Sequence, residues 1–184
     1  MALTRLGTNA ITSVPSSAIT ALPAGLGGKV LQVVSATKTS DQSTNSTSYV
    51  DVTGLTLTIT PSSTSNKILI VVCVNNIGNT AGSGSNVKLL RDSTVVTKNT
   101  SGAQSDTFEA FGNGGGGGMG AGSDDRKISH AIISHLDTPS SISSLVYKVQ
   151  MRSSNSASTS TLNRWALNTD IASVSTITAY EIAG

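Results

Sequence analysis

The sequence predicts an all-β fold, in which an antiparallel, jelly-roll-like β-sandwich head follows an extended N-terminal arm. Short segments rich in Val, Ile, Leu and Thr alternate with turns of Ser, Gly, Asn and Pro along residues 28–184. No segment has a convincing helical period. Ser and Thr are abundant, whereas aromatic residues make up 3% and charged residues 12% of the chain, which is unlike the composition of a helical enzyme.

The predicted arm covers residues 1–27 and contains a near-repeat of eight residues, because AITSVP at 10–15 recurs as AITALP at 18–23. Each proline fixes its own φ and pushes the preceding residue toward extended geometry. Extended chain cannot bury its aliphatic side chains alone, so the arm needs either another copy of this chain or a different protein. A disordered leader is the alternative, but such segments are poor in aliphatic residues. The candidate assembly and anchoring residues are Leu3, Leu6, Ile11, Val14, Pro15, Ile19, Leu22 and Pro23.

The head, residues 28–184, has eight or nine candidate strands. Residues 55–60 alternate strictly, which places Leu55, Leu57 and Ile59 on one buried face. Residues 67–75 are continuously apolar, as expected of a strand that is covered on both faces. Asp92-Ser93 is typical of a tight hairpin turn. The remaining candidate strands are 29–36, 87–91, 94–98, 128–136, 145–152, 162–166 and 173–182.

A loop at residues 112–122 has eight glycines among eleven residues. Phosphate binding is disfavoured because no helix follows and the next residues include two carboxylates. Three interpretations stay open: a recognition tip on the surface, a plain spacer, and close packing of glycines near a symmetry axis. The candidate receptor-contact residues of this loop are Phe111, Asn113, Met119, Asp124 and Asp125.

Catalytic and metal-binding signatures are weak, so the sequence predicts a non-enzyme without cofactor or metal. His130 and His135 are five residues apart, so on one strand they face opposite sides and cannot share a metal. The single cysteine, Cys73, excludes a disulfide framework, and its apolar strand favours a buried, inert thiol. Trp165 is expected to be a core or interface anchor.

Charge and targeting signals narrow the predicted partners. The net charge is +2 and the twelve basic residues are scattered, so we expect no nucleic-acid partner. The N-terminus has no apolar signal region and no stretch reaches membrane-spanning length, so we expect synthesis in a cytoplasm and no membrane insertion.

An ordered series of motifs resembles the short fibre-like virion proteins of tailed bacteriophages, particularly those of aquatic bacteria. The motifs are ITALP at 19–23, GGKVLQVV at 27–34, LTLTITP at 55–61, SNKILI at 65–70, KLLRD at 88–92, HLDTP at 135–139, YKVQ at 147–150 and STITAYEI at 175–182. The resemblance covers nearly the whole chain. It implies a homotrimer on the virion surface, with the arm bound to another virion protein and the head facing outward. It supplies no catalytic residues.

Two functional hypotheses follow. In the first, the chain is a virion structural protein whose arm docks on a tail, portal-proximal or capsid component, as a tail fibre, a head fibre or a capsid decoration. In the second, it is a carbohydrate- or receptor-binding module that contacts a host surface glycan or protein. The two are compatible, since a fibre head can also bind host glycans. A polysaccharide-cleaving enzyme is disfavoured because no carboxylate pair beyond Asp124-Asp125 is evident.

Overall fold

The computed structural model describes residues 29–79, 84–96, 109–112, 129–165 and 168–184. Within these ranges the chain forms thirteen strands and no helix. The strands are β1 (Val30–Lys38), β2 (Gln42–Thr44), β3 (Val50–Ile59), β4 (Lys67–Asn79), β5 (Gly84–Arg91), β6 (Thr94–Val95), β7 (Glu109–Gly112), β8 (Ser129–Asp137), β9 (Leu145–Ser153), β10 (Ser160–Leu162), β11 (Arg164–Trp165), β12 (Asn168–Ala172) and β13 (Ser175–Ile182).

The strands pair into two main antiparallel sheets. The first sheet has the order β1-β13-β4-β10-β2, and β8 also pairs with β4. The second has the order β3-β9-β5-β6, and β7 also pairs with β5. Strands β11 and β12 form a separate small pair. Strand β3 of the second sheet lies against β1 and β13 of the first, which confirms the predicted antiparallel β-sandwich.

The core lies between the two sheets and follows from the alternation of side chains along each strand. Leu55, Leu57 and Ile59 of β3 are buried, as their spacing predicts. In the opposite layer, β4 contributes four buried residues and β13 contributes two. These facing residues are Ile68, Ile70, Val72, Val74, Ile177 and Ala179.

Several strand limits differ from the predicted ones. Strand β3 begins at Val50, five residues before the predicted start. Strands β2 and β7 were not predicted, because QST and EAFG are too short and too polar to stand out in a sequence. The turn at Asp92-Ser93 is confirmed: Asp92 has φ 54°, its N–H donates to Val146 O at 2.7 Å, and its Oδ1 accepts from Val146 N at 3.0 Å.

The predicted strand at 162–166 is wrong, because Asn163 breaks it into β10 and β11. Asn163 adopts the left-handed region at φ 62°, where asparagine is one of the few tolerated side-chain-bearing residues. Its side chain is buried, and its Nδ2 donates to Lys38 O at 2.8 Å and to Ser40 O at 3.0 Å. Its Oδ1 accepts from Ser175 Oγ at 2.5 Å. Asn163 therefore joins the ends of β1, β10 and β13.

Replacing Asn163 should destabilise the head strongly. Asn163→Ala removes three side-chain hydrogen bonds and leaves buried polar groups without partners, which we expect to cost roughly 2–4 kcal/mol in the free energy of unfolding. Asn163→Gly loses the same bonds but accepts a positive φ, so it should be less destabilising than Asn163→Ala by about 1 kcal/mol. Denaturant unfolding of both variants tests this. Equal losses would show that backbone strain contributes nothing at this position.

Candidate functional site

The two sheets differ sharply in the surface that each turns away from the core. We define the outer apolar face as the outward surface of β1, β13, β4 and β8. Of the seven exposed large apolar side chains in the described part of the chain, five lie on these strands. They are Val30, Leu31, Val33, Ile132 and Leu136. Exposed large apolar side chains that gather on one face of a sheet more often mark an interaction surface than a hydrated one.

The outward surface of the second sheet is charged instead. The Nζ of Lys148 donates to Asp51 Oδ2 at 3.0 Å. The ring of Tyr49 lies 3.9 Å from the Nζ of Lys88 and 4.8 Å from the guanidinium carbon of Arg152. Charged side chains of this kind stay hydrated, so this sheet can face water. The difference between the sheets assigns the candidate interaction surface to the first one.

Three of the quoted motifs meet in one buried polar cluster at the edge of the core. Arg91, Asp137 and Tyr147 come from KLLRD, HLDTP and YKVQ respectively. Asp137 Oδ2 accepts from Arg91 Nη1 at 2.6 Å and from the Tyr147 hydroxyl at 2.7 Å. Burial and then the hydrogen bond to Asp137 raise the pKa of Tyr147, so it stays protonated. The cluster joins β5, β8 and β9 and has the geometry of a structural cross-link.

A second cluster joins two more of the quoted motifs, SNKILI and STITAYEI. The Oε1 of Glu181 accepts from Ser62 N at 2.6 Å, from Ser62 Oγ at 2.7 Å and from Asn66 Nδ2 at 2.6 Å. Burial alone would raise the pKa of Glu181, but these hydrogen bonds hold it below its ordinary value. The carboxylate therefore fastens the end of β13 to the connection between β3 and β4.

A polar pocket of about 250 Å³ lies beside Asn163. It contains an ion pair, in which Arg164 Nε lies 3.3 Å from Asp41 Oδ2. The residues that line it are Thr39, Ser40, Asp41, Asn163, Arg164 and Ala172. A carboxylate, a guanidinium and hydroxyl groups around a small cleft suit the hydrogen bonding of a polyol or sugar. Sequence reasoning missed this pocket, because its residues come from separate segments that only the fold brings together.

The candidate site residues from the sequence fall largely outside the described ranges. This holds for the whole arm, residues 1–27, with Leu3, Leu6, Ile11, Val14, Pro15, Ile19, Leu22 and Pro23, and for Asn113, Met119, Asp124 and Asp125 of the glycine-rich loop. The backbone of Phe111 belongs to β7 and pairs with Ser85 of β5. The side chain of Trp165 also lies outside the described part.

The predictions for histidine and cysteine have opposite outcomes. His130 is exposed on the outer apolar face, whereas His135 pairs with inward-facing Ile70, so the two face opposite sides as predicted. The prediction of a buried Cys73 is wrong. Cys73 is half-buried on the outward side of β4, where its Sγ donates to Asn75 Oδ1 at 3.3 Å.

Within the described ranges, no group of three or more His, Cys, Asp or Glu side chains could hold a metal ion. The same part of the chain has no helix long and apolar enough to cross a membrane. In comparisons with known proteins, no family model and no curated protein matches this chain.

The hydrogen bonds to Glu181 should make the stability of the head depend on pH. A carboxylate whose folded pKa is lowered stabilises the fold above its ordinary pKa, near 4.5, and loses that contribution as the pH falls through the folded value. Glu181→Gln replaces charged acceptors by neutral ones, so we expect a loss of about 1–2 kcal/mol at pH 7. Below about pH 4.5 this difference should shrink. Urea unfolding of both chains at pH 7 and pH 3 measures it, and a difference independent of pH would contradict this role.

Proposed function

We propose that this chain is a structural protein of a tailed-phage virion, a short fibre-like homotrimer anchored by its N-terminal arm. The observation that carries the proposal is the outer apolar face, because such a surface fits a protein that functions in an assembly. The β-sandwich fold agrees with the head that the motif resemblance implies. In this proposal the protein is assembled in the host cytoplasm and exposed on the particle surface.

The motif resemblance gains support from where its residues lie. Arg91, Asp137 and Tyr147 form one cross-link, and Glu181 and Asn66 belong to another. Motifs that are far apart in the sequence are thus joined by hydrogen bonds in the fold. A likeness in these motifs is a likeness in the framework of the head. It therefore supports a shared architecture, and it leaves the surfaces that contact partners free to vary.

The first strand of the head lies at the edge of a sheet, where an N-terminal arm can leave the head. Strand β1 begins at Val30 and, within the described residues, pairs with β13 alone, so it lies at the edge of the first sheet as described. Residues 1–27 precede it and carry six regularly spaced aliphatic side chains. We propose that these side chains bind a tail, portal-proximal or capsid protein, while the head projects for attachment to the host surface. A capsid decoration without receptor binding uses the same arm and head.

A second candidate function, carbohydrate binding, is favoured by the pocket beside Asn163. The Asp41–Arg164 pair and the neighbouring hydroxyl groups offer both donors and acceptors to a sugar. The double variant Asp41→Ala/Arg164→Ala removes them together. A glycan-binding head should keep its affinity for host cells or glycans when the arm is deleted, and lose it in this variant. A head without that affinity is a structural element alone.

Serine substitution in the arm should separate particle assembly from folding. Changing Ile11, Val14, Ile19 and Leu22 together to Ser removes four aliphatic side chains, each worth roughly 1.5–3 kcal/mol when fully buried. We expect the head to keep its melting temperature, while quantitative mass spectrometry of purified particles shows loss of the chain. Ile142→Ser, at an exposed position of the head, is the control and should be incorporated normally. Normal incorporation of the arm variant would contradict anchoring by the arm.

A further inference from the structure

Building on the homotrimer of the proposed function, we propose that the outer apolar face is the surface through which three copies of this chain pack around a common axis. The occupant of the face is thus a second copy of the head. Five properties of the face lead to this assignment. They are the apolar side chains on both sides of β4, the register of the outward side chains, the hydrogen bonds of the polar side chains between them, the charge of the face and its size.

Strand β4 is apolar on both sides, but the chain covers only one of them. Its inward residues are fully buried against the second sheet, whereas Leu69, Val71 and Cys73 on the outward side are half-buried. Continuous apolar runs of this kind are typical of strands that are covered on both faces. The described part of the chain supplies one cover, so the second must come from another segment or another molecule.

The four strands align their outward apolar side chains in register. Val33 pairs with Tyr180, Tyr180 with Leu69, and Leu69 with Leu136, which makes one row across the sheet. Four residues further along β4, Cys73 pairs with Ile132. The residues at the two ends of these rows, on β1 and β8, are the most exposed to solvent. Val33 is 55%, Leu136 49% and Ile132 66% exposed. One row of large side chains without a serine or threonine therefore spans the full width of the four strands.

Two of the polar side chains between these rows, Ser35 and Thr178, already have partners within the chain. Ser35 Oγ donates to Ile177 O at 3.3 Å and shares a hydrogen bond of 3.0 Å with Thr178 Oγ1. A hydroxyl that keeps its hydrogen bond can be removed from water at little cost, whereas an unpaired one costs about 1–3 kcal/mol. Covering this part of the face therefore leaves neither hydroxyl unpaired.

The charge of the face suits contact with an identical surface. Among the outward residues of the described parts of β1, β13, β4 and β8, Lys67 is the only lysine, arginine or carboxylate, and it lies at the start of β4. The charged residues Lys38, Asp137 and Glu181 of these strands are buried. Because like charges repel across a self-contact, a surface almost without charge is the kind that can pack against its own copy.

The width of the outer apolar face indicates that another sheet covers it, and not a single extended segment. Four strands about 4.8 Å apart and about eight residues long at about 3.3 Å each make a face of roughly 19 by 26 Å, or about 500 Å². Three such faces that meet around one axis remove roughly 1,500 Å² from water in the whole trimer, shared among its three contacts. One extended segment, such as the arm, is about one strand wide and covers only part of this width. A second copy offers a surface of matching width and chemistry.

A matched pair of charge substitutions in the full chain tests the proposal. Ile132 and Ile142 are the same residue type and are 66% and 61% exposed, but only Ile132 lies on the outer apolar face. Sedimentation at micromolar concentration should give about three times the 18.6 kDa monomer mass for the unchanged chain and for Ile142→Arg. Ile132→Arg should sediment as a folded monomer, with circular dichroism as the check on folding. Val33→Arg, on the opposite edge strand, is the second variant should Ile132→Arg fail to fold.

The other outcomes separate the interface from the proposed function. Trimers that survive both Ile132→Arg and Val33→Arg would overturn this face as the interface and leave the homotrimer standing. Loss of the trimer in Ile142→Arg as well would also overturn it, because the effect would not be specific to the face. A monomeric unchanged chain would overturn both the interface and the homotrimer. A monomer that loses stability only on substitution at Ile132 or Val33 would instead assign the face to the chain's own arm.

Discussion

A two-layer sandwich covers one face of each sheet, and β4 has apolar side chains on both of its faces. This mismatch is the constraint on which the rest of the structure depends. The inward residues of β4 belong to the core between the two sheets, in which β1 and β13 lie against β3 and β4 lies against β5. The outward residues remain at the surface with those of β1, β13 and β8. Because no other strand in the described part of the chain covers these outward residues, we propose a structural function in an assembly.

The placement of charge follows the same constraint. Asp137 and Glu181 lie on strands of the apolar sheet, but both carboxylates point away from its outer face and are buried in hydrogen-bonded clusters. Charges near the surface, such as Asp51 and Lys148, lie on the other sheet. Each buried carboxylate has several donors, so its burial is compensated by charge-assisted hydrogen bonds. The result is a head with one hydrated side and one apolar side.

Local sequence patterns were enough to predict the fold class and the inner face of the core. The alternation of Leu55, Leu57 and Ile59 has a period of two, and this period alone defines a buried strand face. The break at Asn163 could not be predicted in this way, because its left-handed backbone depends on hydrogen bonds to Lys38, Ser40 and Ser175 from distant parts of the chain.

The candidate surfaces were harder to predict than the fold. Val33 and Leu136 are about a hundred residues apart in the sequence, and only the register through β13 and β4 places them in one row. The pocket at Asp41 and Arg164 has the same origin, since its residues come from segments that are far apart in the sequence. Residues 67–75 were predicted to be covered on both faces, whereas the described part of the chain buries only the inward side chains of β4 and leaves the outward ones half-buried. The arm and most of the glycine-rich loop lie outside the described residues, so the roles assigned to them stay predictions.

The rate at which an alkylating reagent modifies Cys73 tests the central claim most directly, because this thiol is the only one in the chain and lies on the outer apolar face. The rate is measured over a range of protein concentrations, and Val33→Arg, which lies two strands away from Cys73, provides the rate for an uncovered face. If a second copy covers the face, the unchanged chain reacts more slowly than the variant at high concentration and approaches its rate on dilution. Equal rates in the two chains at every concentration would contradict this account.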